Sequence, residues 1–69
     1  MYHVEMKQDV LGWFKVPFAE HRTRAYCDGY VDAYDSMYPS KPMRIVKRDK
    51  DGETEVVRAT KGRGKVHLN

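Results

Sequence analysis

The sequence predicts a small single α+β domain of ββαββ order, with one helix packed on a mostly antiparallel sheet. Three observations carry this expectation. The stretch "YHVEMK" (residues 2–7) alternates apolar and polar side chains without a break, which is the period of a half-buried strand. A helical stretch from about Ala19 to Tyr38 is stopped by Pro39, with Ser40 and Pro42 beyond it. The runs "MRIVKR" and "ETEVVRA" flank "DKDG", a hairpin turn in which Gly52 is free to take a positive φ.

Taken in order, the first strand places Tyr2, Val4 and Met6 on one side and His3, Glu5 and Lys7 on the other. "QDVLG" supplies turn residues, and "WFKVPF" reads as the second strand. Pro17 has no N–H to donate to a ladder, so this strand is expected either to end there or to lie on an edge. At 100° per residue, Arg22, Ala25, Tyr26, Gly29, Tyr30, Ala33 and Met37 share one broad helix face. A mid-helix glycine costs about 1 kcal/mol relative to alanine. The small row Ala25, Gly29 and Ala33 is therefore expected to lie close against the sheet, with Tyr26 and Tyr30 beside it. That expectation leaves Cys27, Val31 and Tyr34 as surplus apolar surface. The domain proper is read as residues 1–59, and residues 60–69 as a basic C-terminal tail.

At 69 residues with one cysteine, the chain holds one core and no intrachain disulfide. The Cys and His residues lack zinc-finger spacing, so no metal and no cofactor is expected. Charge is uneven. Residues 1–38 hold four Lys/Arg against six Asp/Glu, and residues 39–69 hold nine against four. Apolar runs are only a few residues long, so no membrane partner is expected. A lone thiol without an export signal points to the cytoplasm.

Catalysis finds little support. Cys27 and His21 are six positions apart on the expected helix, about 120° away around its axis, so they do not pair within it. "GRG" is not followed by a helix that could cradle phosphate. The expectation is a non-enzymatic protein that acts by binding. Its protein-contact surface is read as Tyr34, Val31 and Cys27, bordered by Asp28, Asp32 and Asp35, with a homodimer through the same patch compatible with that reading. The alternative is a nucleic-acid-binding module built on Arg44, Lys47, Arg48, Arg58, Lys61, Arg63 and Lys65, cations able to neutralise phosphates. The ordinary reading of the same cations is a solvated edge that discourages sheet-to-sheet aggregation.

The pattern "GWFKVPF" followed by "YCDGYVDAYDSMYPSKPMRIVKRDKDGETEVV" resembles small uncharacterised accessory proteins of tailed bacteriophages. The shared features are an aromatic strand, a helix with a Gly-Tyr step, a Pro-x-x-Pro stop and an Arg-Ile-Val strand leading into a hairpin. The likeness spans about residues 11–58 and contains no catalytic motif. It implies a protein of the infected host's cytoplasm that contacts a host protein and modulates or inhibits it. A structural component of the virion is the further class it leaves open.

Overall fold

A computed structural model describes residues 1–8 and 10–62 of the chain. The elements follow the expected order: β1 (Tyr2–Gln8), β2 (Gly12–His21), α1 (Arg24–Met37), β3 (Met43–Arg48) and β4 (Thr54–Thr60). All neighbouring strands pair antiparallel in one sheet of order β2-β1-β3-β4. Two hairpins, β1–β2 and β3–β4, are joined through the central β1–β3 pairing, and α1 connects the outer strand β2 to the inner strand β3. Both hairpins turn at a glycine in left-handed conformation, Gly12 at φ 82° and Gly52 at φ 84°, where a side chain would be strained. The second turn is fixed by Asp49, whose carboxylate accepts the N–H groups of Asp51 and Glu53 at 3.0 Å each.

The core lies between α1 and one face of the sheet. It joins Val4 and Met6 of β1, Val16 and Ala19 of β2, Cys27 and Val31 of α1, and Met43 and Ile45 of β3. Tyr2, Phe14, Tyr30, Tyr34 and Val57 pack around its margin. The alternation read from "YHVEMK" is therefore realised, with Val4 and Met6 facing the helix.

The helix is shorter than expected and is turned differently. Ala19, Glu20 and His21 belong to β2, because Tyr2 pairs with His21 and His3 with Glu20 across the sheet. Thr23 is the N-cap, in extended conformation. Its N–H donates to His21 Nδ1 at 3.1 Å, so that nitrogen carries no proton and also accepts the Thr23 hydroxyl at 3.0 Å. The expected inner face of Ala25, Gly29 and Ala33 points to solvent, and a β-carbon at Gly29 would have nothing within 4 Å. Instead Cys27 and Val31 are 0% and 1% exposed. The physical reason is transfer free energy, which scales with buried apolar area. Glycine and alanine have little such area, whereas Cys27, Val31, Tyr30 and Tyr34 have much more and lie on one stripe.

β4 runs through Thr60, whose hydroxyl oxygen accepts the Met43 N–H at 3.1 Å. Beyond it, Gly62 packs on the Ser40 carbonyl and the Pro42 ring so closely that a β-carbon there would overlap the backbone. Most of the basic tail, residues 63–69, lies outside the described residues.

Candidate functional site

β2 is an outer strand, as one of the two readings of Pro17 required, and the three most exposed large apolar side chains lie on it or at the hairpin tip before it. Between the pairs His3–Glu20 and Glu5–Lys15 the register shifts. Four residues of β2, Val16 to Ala19, are set against Val4 alone. Val16 and Ala19 turn into the core, while Pro17 and Phe18 are pushed out. Phe18 sits at φ 64°, the one non-glycine residue at positive φ among the described residues, and its side chain is 94% exposed. A bulky residue in that region costs about 1–2 kcal/mol. At the tip of the β1–β2 hairpin, Val10 and Leu11 are 92% and 82% exposed. The long edge of β2 thus presents apolar groups at its tip and again at its bulge, with Trp13 half-buried between them.

The sheet face away from the helix carries a polar network. Glu5 accepts hydrogen bonds from Arg44 Nε at 2.7 Å and from His3 Nε2 at 2.9 Å. Burial alone would raise the Glu5 carboxyl, but these two bonds and the Arg44 charge outweigh it and lower the group from its ordinary value. The Arg44 guanidinium also lies over the Trp13 ring, 4.1 Å from its centre. Nearby, Lys15 meets Glu20 at 3.3 Å across the bulge. Among the described residues there is no pocket, and no three His, Cys, Asp or Glu side chains are grouped as metal ligands would be.

The residues expected to form the contact surface are divided by the fold. Cys27 and Val31 are core and present no surface to a partner. The Cys27 S–H points at the Ala19 carbonyl, 3.6 Å away, and burial, with Asp28 and Glu20 nearby, pushes the thiol up. Tyr34 is half-buried, its ring stacked on Tyr30 at 4.5 Å, and its hydroxyl receives the Tyr30 hydroxyl at 3.0 Å. That hydrogen bond, followed by burial, pushes Tyr30 up to about 12. Asp28 and Asp32 form no free acidic stripe, because Arg58 reaches across from β4 to both, at 2.8 and 2.7 Å. Asp35 is half-buried on the same flank.

The basic set is divided as well. Arg44 and Arg48 lie on the open face, whereas Lys47 and Arg58 point to the helix side, as alternation along the paired strands requires. Arg44 is engaged by Glu5 and Arg58 by two aspartates. Lys61 follows β4, and Arg63 and Lys65 lie outside the described residues. The cations therefore do not form one continuous phosphate-binding surface among the described residues.

Val10, Leu11 and Phe18 are the side chains that the reading of the sequence passed over. The available signal was Pro17. A proline inside an aromatic strand marks an edge with a local break, and the residue after it is a natural one to be thrown outward. No protein-family model, curated protein or solved structure matches the chain.

Proposed function

We propose that this chain is a non-enzymatic binding protein whose contact surface is the β2 edge with the tip of the β1–β2 hairpin, and that Phe18 is its anchor. The observation that carries this reading is the conformation of Phe18. The fold holds a phenyl ring almost wholly in water on a backbone that disfavours any residue but glycine. Neither strain nor exposure helps the isolated domain, and the exposure is relieved when the ring enters a partner's pocket. Val10 and Leu11 widen the apolar area, and Lys15 and Glu20 form its polar rim. The partner implied by the phage resemblance is a host protein that the chain modulates. The nucleic-acid reading has less support, because the described cations are split between two faces and the two best-placed arginines are already paired.

The test is binding by Phe18→Ser and by Leu11→Ser. Host-lysate proteins retained by the immobilised wild-type chain are identified, and each is then measured directly by calorimetry. The expected result is at least about a tenfold loss of affinity for Phe18→Ser, consistent with loss of a buried aromatic anchor, with an unchanged circular dichroism spectrum. Unchanged affinity in both variants overturns the reading. Unfolding of Phe18→Ser would make the residue structural and also count against it.

A further inference from the structure

The free backbone groups of β2 can be located from bonds at the other side of β1. Met1 and Arg48 exchange hydrogen bonds, Arg48 N–H to Met1 O at 2.8 Å and the Met1 amine to Arg48 O at 3.1 Å. Lys7 N–H donates to Pro42 O at 3.0 Å. The odd-numbered residues of β1 therefore turn their N–H and C=O toward β3, and the even-numbered ones turn toward β2. Met6 pairs with Phe14 and Gln8 with Gly12, so these are the hydrogen-bonded pairs of the first hairpin. Trp13 and Lys15, opposite Lys7 and Glu5, must aim their N–H and C=O groups at the open edge.

We infer that this edge pairs with β2 of a second copy of the chain, antiparallel about a two-fold axis at Phe14, so that two sheets of order β2-β1-β3-β4 become one. The inference rests on the reading of the β2 edge as the contact surface and gives that edge a second copy as its occupant, for which a host protein would have to compete. About that axis, Trp13 of each copy faces Lys15 of the other. These two residues are the ones whose backbone groups point outward, so both pairs exchange a full set of ladder bonds. Phe14 faces its own copy as a narrow non-hydrogen-bonded pair, with Cα atoms about 4.5 Å apart. Gly12 faces Val16, Leu11 faces Pro17, and Val10 faces Phe18. The stretch "VLGWFKVPF" is thus apolar-against-apolar at both ends when read against itself, and the three most exposed apolar side chains all meet apolar ones.

Neighbouring registers do worse. An axis at Lys15 sets two lysines opposite each other, which is destabilising, and sets Val10 against Glu20 instead of an apolar residue. An axis at Trp13 moves Phe18 off the paired strand altogether. Pro17, having no N–H, ends the hydrogen-bonded part of the ladder after Val16, so Val10 and Phe18 beyond it meet through their side chains alone. The axis is normal to the sheet, so both helices fall on the same face. There the two half-buried Phe14 rings extend each other's core. A chain of this size without a disulfide gains from such an extension, since small cores rarely suffice alone.

The experiment is sedimentation equilibrium of the full chain as wild type, Lys15→Pro and Thr54→Pro, with disulfide trapping of Phe14→Cys in a Cys27→Ala background. Proline at 15 removes an outward N–H and, with the lysine side chain, the exposed contact to Glu20. Thr54 is paired with Arg48, which bonds toward β1, so proline there blocks the opposite edge by the same logic. The expected result is a concentration-dependent dimer for wild type and Thr54→Pro, dimerisation weakened at least about tenfold in Lys15→Pro, and faster oxidation of Phe14→Cys to a linked dimer than of Lys15→Cys. A wild-type monomer at every concentration overturns the dimer, while loss of partner binding by Phe18→Ser would still uphold the contact edge. A dimer that survives Lys15→Pro places the interface elsewhere. Should Lys15→Pro unfold, the cysteine pair decides: equal oxidation at 14 and 15 rejects the register.

Discussion

The two outer strands of this sheet are built to opposite ends. β4 is tied down. Arg58 on that strand holds Asp28 and Asp32 of α1, Thr60 bonds both the N–H and the C=O of Met43, and Gly62 packs on the α1–β3 connection. Its exposed residues are Thr54, Glu55, Val56 and Ala59, with Val56 the one large apolar side chain among them, about half exposed. β2 is flanked by rings instead, with His21 stacked on Tyr26 at 4.4 Å, and by helical angle Tyr30 and Tyr34 lie on the flank of α1 away from Asp28 and Asp32. Phe18 on the strand and Val10 and Leu11 at the adjoining hairpin tip are its large exposed apolar groups, and its backbone is strained where β4 is not. One edge holds the domain together and the other is left available, so substitutions on the two should differ in sign.

The largest effect is expected at the tied edge. Gly62→Ala places a methyl group into the Ser40 carbonyl, and forced overpacking costs about 1–3 kcal/mol. The midpoint of urea denaturation should fall accordingly, and an unchanged midpoint would mean that Gly62 is not held against that connection. Arg58→Ala comes next. It removes two ion pairs and leaves Asp28 and Asp32 adjacent on the helix without their shared cation. Because the side chains are partly exposed, solvent screening limits the loss to about 1–2 kcal/mol. The loss should shrink in 1 M salt if charge dominates it.

At the available edge the sign reverses. Phe18→Gly removes the strain at φ 64° and is expected to raise stability by up to about 1 kcal/mol, less the greater freedom of glycine in the unfolded chain. Higher stability together with weaker partner binding would be the signature of a residue kept for contact. Lower stability in this variant would place the Phe18 ring within the fold's own packing and remove the contrast between the edges.

That contrast was only half legible in the sequence. The ββαββ order, both glycine turns and the inward set of β1 followed from alternation and turn chemistry, which are local. The helix face did not. A periodicity argument weighed Ala25, Gly29 and Ala33 as a close-packing row, whereas area decides which stripe faces a sheet already lined with Met43, Ile45 and Val4. The error carried into the site, because Cys27 and Val31 were left outside a core they belong to. In the sequence Arg58 reads as a phosphate-binding cation, and only tertiary pairing shows it engaged by Asp28 and Asp32. Pro17 did signal an edge. What it could not show is that the strand resumes after a bulge, since the pairing of Tyr2 with His21 depends on a residue far away in sequence.

The smallest expected effect tests the aromatic flank by pH. Tyr30 donates to Tyr34 and must keep its proton to do so, and its titration is pushed up from the ordinary tyrosine value to about 12. The unfolded chain therefore loses this proton first as pH rises. In that interval the native state binds more protons than the unfolded one, so stability falls with increasing pH. The contribution is whole below pH ~10 and is lost progressively as pH approaches about 12. The measurement that isolates this contribution is a difference. The stability of wild type minus that of Tyr30→Phe should be flat from pH 7 to 9 and decline above 10. A difference that stays flat throughout would show that the Tyr30 hydroxyl makes no bond that matters, and that the flank is held by ring stacking alone.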